Sequence, residues 1–112
     1  MADLLHDRRR ALRVQLRTHS NLVTADGGCT AHLVNISESG ALIAVIEPHQ
    51  LSAGEAIALD VELPNGTTAR MEGHIAHVKD HMLGLDCTAA TDADAERLDA
   101  VIAELAKDIY QP

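Results

Sequence analysis

The chain has 112 residues, 46% of them hydrophobic but only 1% aromatic, and a formal charge of -8. This length suits one domain that buries roughly 60 to 70 per cent of its unfolded surface without covalent staples. With Tyr110 the sole aromatic residue, the core must be built from Val, Ile, Leu, Met and Ala, and the composition argues against a base-stacking platform for nucleic acid. No apolar run reaches the length of a membrane span, and Leu4-Leu5 is too short for the apolar core of a secretion signal. The isolated Cys29 and Cys87 read as reduced thiols in strand segments. A cytoplasmic protein with no nucleic-acid partner and no membrane insertion is expected.

In chain order, residues 1–13 hold a charge anomaly. Arg8, Arg9, Arg10, Arg13 and Arg17 are five of the nine basic residues, gathered in ten positions of an acidic chain. They form a local anion trap that the net charge hides. All are arginines, whose planar fork grips phosphate oxygens in pairs, reaches the O6/N7 edge of guanine and stacks on bases. We read 1–13 as a flexible, arginine-rich switch segment and 14–88 as a barrel. Val14 to Arg17 alternates as a half-buried strand, a turn falls near Asp26-Gly27-Gly28, and a second strand runs from Thr30 to Ile36. After the Ser37–Gly40 turn, Ala41 to Ile46 reads as a strand, and Pro48 and Ser52-Ala53-Gly54 mark a loop. Ile57, Leu59, Val61 and Leu63 share one parity of a further strand. Pro64-Asn65-Gly66-Thr67 predicts a type I′ hairpin turn, and strands over 70–79 and 82–87 flank Asp80-His81. The fold class is therefore mainly β, a six-stranded antiparallel barrel closed against exposed edges. Leu98, Val101, Ile102, Leu105 and Ile109 recur at helical spacing, which predicts a C-terminal amphipathic helix over 91–109, capped by Thr91 with Asp94.

Two constellations carry chemistry. The arginines are one, and Asn35-Ile36-Ser37-Glu38-Ser39-Gly40 is the other: a strand-end turn offering backbone N-H groups, an amide, a hydroxyl and a glycine that permits close approach. Together they suit a guanine nucleotide. His74, His77 and His81 have spacing that would favour a metal on a helix, but on a strand positions 74 and 77 point to opposite faces, so no metal site is expected. No nucleophile triad, carboxylate pair or phosphate-binding loop is recognisable, and no enzyme activity is expected.

Arg9-Arg10-Ala11-Leu12-Arg13 matches an RxxxR motif and Asn35 to Gly40 a [D/N]xSxxG motif, and with them the chain resembles the PilZ domain family of bacterial cyclic di-GMP receptors. The similarity continues through Gly40-Ala41-Leu42-Ile43, Pro48, Gly54, the strand Ile57 to Leu63, Pro64-Asn65-Gly66 and Leu83-Gly84-Leu85-Asp86-Cys87. It implies a non-catalytic cyclic di-GMP sensor that needs no cofactor and regulates an unidentified effector protein; the alternative is a PilZ-like adaptor that binds only protein. By the same resemblance Arg9 and Arg13 contact phosphates and guanines, Arg8 stacks on the ligand and favours an intercalated pair over a single molecule, Asn35 and Ser37 reach a guanine edge, and Gly40 holds the turn. The chain departs from the family pattern in three places. Asn35 stands where aspartate is frequent and offers one acceptor oxygen instead of two. Cys87 replaces a bulky aromatic in the closing strand. His77 stands where relatives often place arginine or a large aromatic near the ligand, and is assigned a stacking contact.

Overall fold

The computed structural model describes residues 13–110, the side chains of the last three excepted. Six strands, β1 (Val14–Thr24), β2 (Gly27–Ser37), β3 (Gly40–Ala44), β4 (Ala56–Glu62), β5 (Thr68–Lys79) and β6 (Met82–Ala89), precede the helix α1 (Asp92–Tyr110). The strands close a barrel in the order β1-β2-β3-β6-β5-β4, and every neighbouring pair is antiparallel. The mainly β, six-stranded barrel with a C-terminal helix expected from the sequence is thus observed. The arginines Arg8, Arg9 and Arg10 lie outside the described residues.

The interior is aliphatic, as the composition requires. Leu22, Leu33, Ile36, Ile43, Leu59, Met71, Ile75, Leu83 and Leu85 are fully buried, joined by the smaller Ala31, Ala41 and Ala69. The first strand runs on to Thr24, well past the Val14 to Arg17 alternation. Its polar middle, Thr18-His19-Ser20-Asn21, conceals a strand because Ser20 faces inward, and its hydroxyl donates to the Ala31 carbonyl at 3.3 Å. The apolar run 41–46 leaves the sheet early: Val45 remains buried, with its N-H bonded to the His81 carbonyl at 2.8 Å, while Ile46 is 67% exposed.

Two local expectations are corrected. The turn after β4 is not type I′, because only Gly66 has positive φ (87°). Gly66 N-H bonds Leu63 O at 3.0 Å and Leu63 N-H bonds Thr67 O at 2.8 Å, which makes Pro64-Asn65 the centre of a three-residue loop with Gly66 as the left-handed closing residue. Proline at the first corner fixes φ near -65° and forbids the primed geometry. The second correction concerns β5. Its register against β6 slips between Ile75 and His77, so both His74 and His77 are exposed on the outer surface instead of on opposite faces.

Helix α1 buries Leu98, Ile102 and Ala106 against the barrel, with Val101 and Leu105 partly covered. Thr91 Oγ1 accepts the Asp94 N-H at 3.1 Å and donates to Asp94 Oδ2 at 2.7 Å. Asp94 Oδ1 in turn accepts the backbone N-H of Arg70 on β5 at 3.1 Å and an N-H of Arg97 at 2.7 Å. One carboxylate therefore caps the helix and docks it on the sheet. These bonds, that of Thr91 first, hold the Asp94 carboxyl below the usual carboxylate range.

A depressed folded-state pKa contributes stability above the unfolded value and loses it as pH falls through the folded one. Stability to urea should therefore fall as pH drops below about 4, and Asp94→Asn should flatten that dependence. At neutral pH, Thr91→Ala should cost about 1 kcal/mol through the lost cap.

Candidate ligand-binding face

Strand pairing aligns the candidate residues on the outside of the barrel. Along one row, Gln15 of β1 lies opposite Asn35 of β2, Asn35 opposite Leu42 of β3, Leu42 opposite Gly84 of β6, and Gly84 opposite His77 of β5. Three strand intervals separate Asn35 from His77, roughly 14 Å around the curved sheet. The neighbouring row runs Ser37, Gly40, Asp86, His74 and Ala56.

The outward aim of Asn35 and His77 comes from irregularities in the ladder. In β2, Ala31 and Leu33 point inward, and strict alternation would send Asn35 inward as well. The register of β2 against β3 slips between Leu33 and Asn35, after which Ile36 is the buried residue and Asn35 faces out. A slip also falls between the Gln15–Asn35 and Thr18–Leu33 pairs of β1 and β2. In β5 the slip after Ile75 does for His77 what the slip after Leu33 does for Asn35. Bulges characteristically re-aim side chains near binding sites.

Arg13, at the entrance to β1, joins the two motifs. Its Nη1 donates to Asn35 Oδ1 at 3.0 Å. Its Nη2 lies over Gly40, 3.2 Å from where a Cβ would stand, and that Cβ would also meet the Leu85 carbonyl at 2.7 Å. Gly40 is thus the seat on which the guanidinium rests. Because arginine has no acceptor, the amide of Asn35 must present its oxygen to Arg13, which leaves the NH2 group as a donor for something else. A neutral acceptor also leaves the guanidinium charge uncompensated by its partner.

Ser37 has a different surrounding. It is 2% exposed, its hydroxyl accepts the Ser39 N-H at 3.3 Å and donates to the Gly40 carbonyl at 3.4 Å, so it ties the turn that positions Gly40. Beside Gly40, Asp86 pairs with His74 at 3.5 Å on the exposed surface. Beneath the face, Cys87 is buried and its Sγ lies 3.9 Å from Met71 Sδ. Burial, reinforced by Asp86 and partly offset by the charge of Arg13, pushes the thiol up to about 12, so it is a neutral packing group without nucleophilic character at neutral pH. Both cysteines are free. Among the described residues no cluster of three or more His, Cys, Asp or Glu side chains is arranged to hold a metal ion.

Gly84 on β6 has a role at this face that the sequence motifs do not assign. A Cβ there would overlap Cε1 and both nitrogens of the His77 ring, so the absence of a side chain on β6 is what lets the imidazole lie against the sheet. A glycine inside an otherwise apolar strand, Leu83-Gly84-Leu85, is the signal that marks such an approach. Gly84→Ala should displace the ring and cost about 1 to 3 kcal/mol. In a double-mutant cycle by urea unfolding, His77→Ala should remove most of that cost, a coupling above about 0.5 kcal/mol that two independent sites would not show.

Similarity to known proteins agrees with this architecture. A solved structure described as the PilZ domain of CeSA from a cellulose-synthesizing bacterium superposes with a TM-score of 0.68 at 16% identity, covering 85% of this chain and 98% of that one. The Bacillus subtilis inhibitor of motility MotI/DgrA superposes at 0.70 with 14% identity over 88% of this chain, which spans about half (49%) of that protein. At such identities the likeness is one of fold. A sequence search among curated proteins found no match. The family model of the PilZ domain, however, matches residues 7–104, from the arginine segment through most of α1, and the chain belongs to the PilZ domain family.

Proposed function

We propose that this protein is a non-catalytic receptor for cyclic di-GMP and that the outer face around Arg13, Asn35, Gly40 and His77 is its binding surface. The observation that carries the reading is the convergence of Arg13 on Asn35 and Gly40, which unites two motifs 22 residues apart in one small area. Membership of the PilZ family supplies the ligand class. In the proposed complex, Arg13 directs its remaining N-H groups to a phosphate, and Arg8 and Arg9 come over the ligand from the N-terminal side. Arg8 stacks on a guanine and favours an intercalated pair of ligands.

Asn35 then has a role set by its partner. With its oxygen given to Arg13, its NH2 donates to guanine O6 or N7, a different edge from the N1-H and N2-H that an aspartate would accept. His77, flat on Gly84, offers a ring face to a second base. Ser37 acts through the turn by holding Gly40. A micromolar complex requires about 8 kcal/mol, which a few charge-assisted hydrogen bonds of roughly 1.5 to 3 kcal/mol each supply after ordering costs. Binding that orders the arginine segment changes the protein surface, and the changed surface regulates an effector protein in the cytoplasm.

Isothermal titration with cyclic di-GMP should show saturable binding at micromolar or lower concentration, with GTP and cyclic di-AMP as controls. Arg9→Ala/Arg13→Ala should abolish it, and Asn35→Ala should weaken it by about tenfold, the worth of one such bond. An intercalated pair gives two ligands per chain; one per chain overturns the role given to Arg8. No heat and no competition at high ligand concentration would sink the receptor reading and leave an adaptor that binds protein alone.

A further inference from the structure

The proposed nucleotide face does not use the row of outward residues beyond it, where β1 and β2 place His19 directly opposite His32. Their ring centroids are 5.2 Å apart and the planes are inclined at 47°. Both side chains are exposed, and among the described residues they interact only with each other. We propose that this cross-strand pair is a binding site for a single divalent ion of the late first-row transition metals, with zinc and copper as the fitting members and one imidazole nitrogen from each histidine as ligands.

The argument is geometric and chemical. Residues directly opposite in an antiparallel pair hold their Cβ atoms about 4.5 to 5.5 Å apart, so two imidazoles there need only side-chain rotation to direct nitrogens at a common point. The backbone beneath them is fixed on both sides. His32 also pairs with Ala44 of β3, and the neighbouring Ser20 pairs with Val61 of β4, so neither strand is a mobile edge. Ala44 is small and leaves the approach to His32 open. Neutral imidazole selects zinc, copper and nickel over magnesium or calcium, which require oxygen donors. Of the carboxylates near by register, Asp60 opposite Asn21 is held by Arg70 through two hydrogen bonds of 2.8 and 2.9 Å, and the exposed Glu62 follows Val61, the partner of Ser20, which places it beside His19. The ion takes the two imidazole nitrogens and fills its remaining positions with oxygen from water or Glu62. Arg17, two positions before His19 on the same strand, adds repulsion that keeps the affinity moderate.

This site does not depend on the nucleotide reading, and its test uses zinc alone. The untagged full chain at neutral pH is titrated with zinc sulfate while the imidazole nitrogens of every histidine are followed by long-range nitrogen-proton NMR. The expected result is that the first equivalent shifts the His19 and His32 rings together and leaves those of His49, His74, His77 and His81 in place. His19→Asn and His32→Asn should each abolish that response while the backbone amide spectrum stays folded, and magnesium should produce none. First-equivalent shifts at other histidines, an unchanged response in either variant, or no shift of the pair in excess zinc would overturn the proposal.

Discussion

The outer face depends on three slips in the strand ladder. A barrel of this size has room for aliphatic side chains and for little else, so parity along each strand is enforced by the core. Asn35 and His77 both fall on positions that unbroken alternation would assign to the interior. One extra residue near Val34 and another at Ala76 restore inward parity for Ile36 and Val78 while turning the polar neighbours out. The face and the core are therefore solved by the same irregularities, and neither could be moved by one residue without damaging the other.

Glycine complements the slips. Gly40 and Gly84 lie on the same outer face, and each underlies a ring or fork of another strand: the guanidinium of Arg13 on one, the imidazole of His77 on the other. In each case the missing Cβ is the space a functional group occupies. The two seats bring Arg13 against β3 and His77 against β6, so these groups are positioned by strand pairing and its bulges. Rigid placement of this kind reduces the ordering that a ligand must supply.

Charge distribution adds a further constraint. The chain is acidic overall, yet five of its nine basic residues fall between positions 8 and 17, and one of these, Arg13, meets a neutral amide. An aspartate at position 35 would pair with that guanidinium and compensate its charge. The asparagine leaves the positive charge directed outward. Elsewhere the acidic residues serve the fold, most plainly Asp94, whose carboxylate links helix, cap and sheet. The buried neutral Cys87 beneath the face likewise contributes packing and no chemistry.

Periodicity and turn chemistry determined much of the architecture from sequence alone. The alternation from Ile57 to Leu63, the turn residues at Ser37–Gly40 and the helical spacing from Leu98 onward each encode a local preference, and short strands with every edge in need of a partner favour closure. The sequence likewise carried the two motifs as letters. It did not show that β1 continues through Thr18-His19-Ser20-Asn21, because Ser20 is satisfied inside only by the Ala31 carbonyl of the next strand. Nor did it show the bend at Pro64-Asn65 or the bulges near Val34 and Ala76, since one inserted residue leaves composition and average periodicity almost unchanged. Which face Asn35, His74 and His77 occupy, that Arg13 rests on Gly40, and that His19 stands beside His32 were decided by register between strands. Register is a property of pairs of segments, fixed only when the barrel closes around its core.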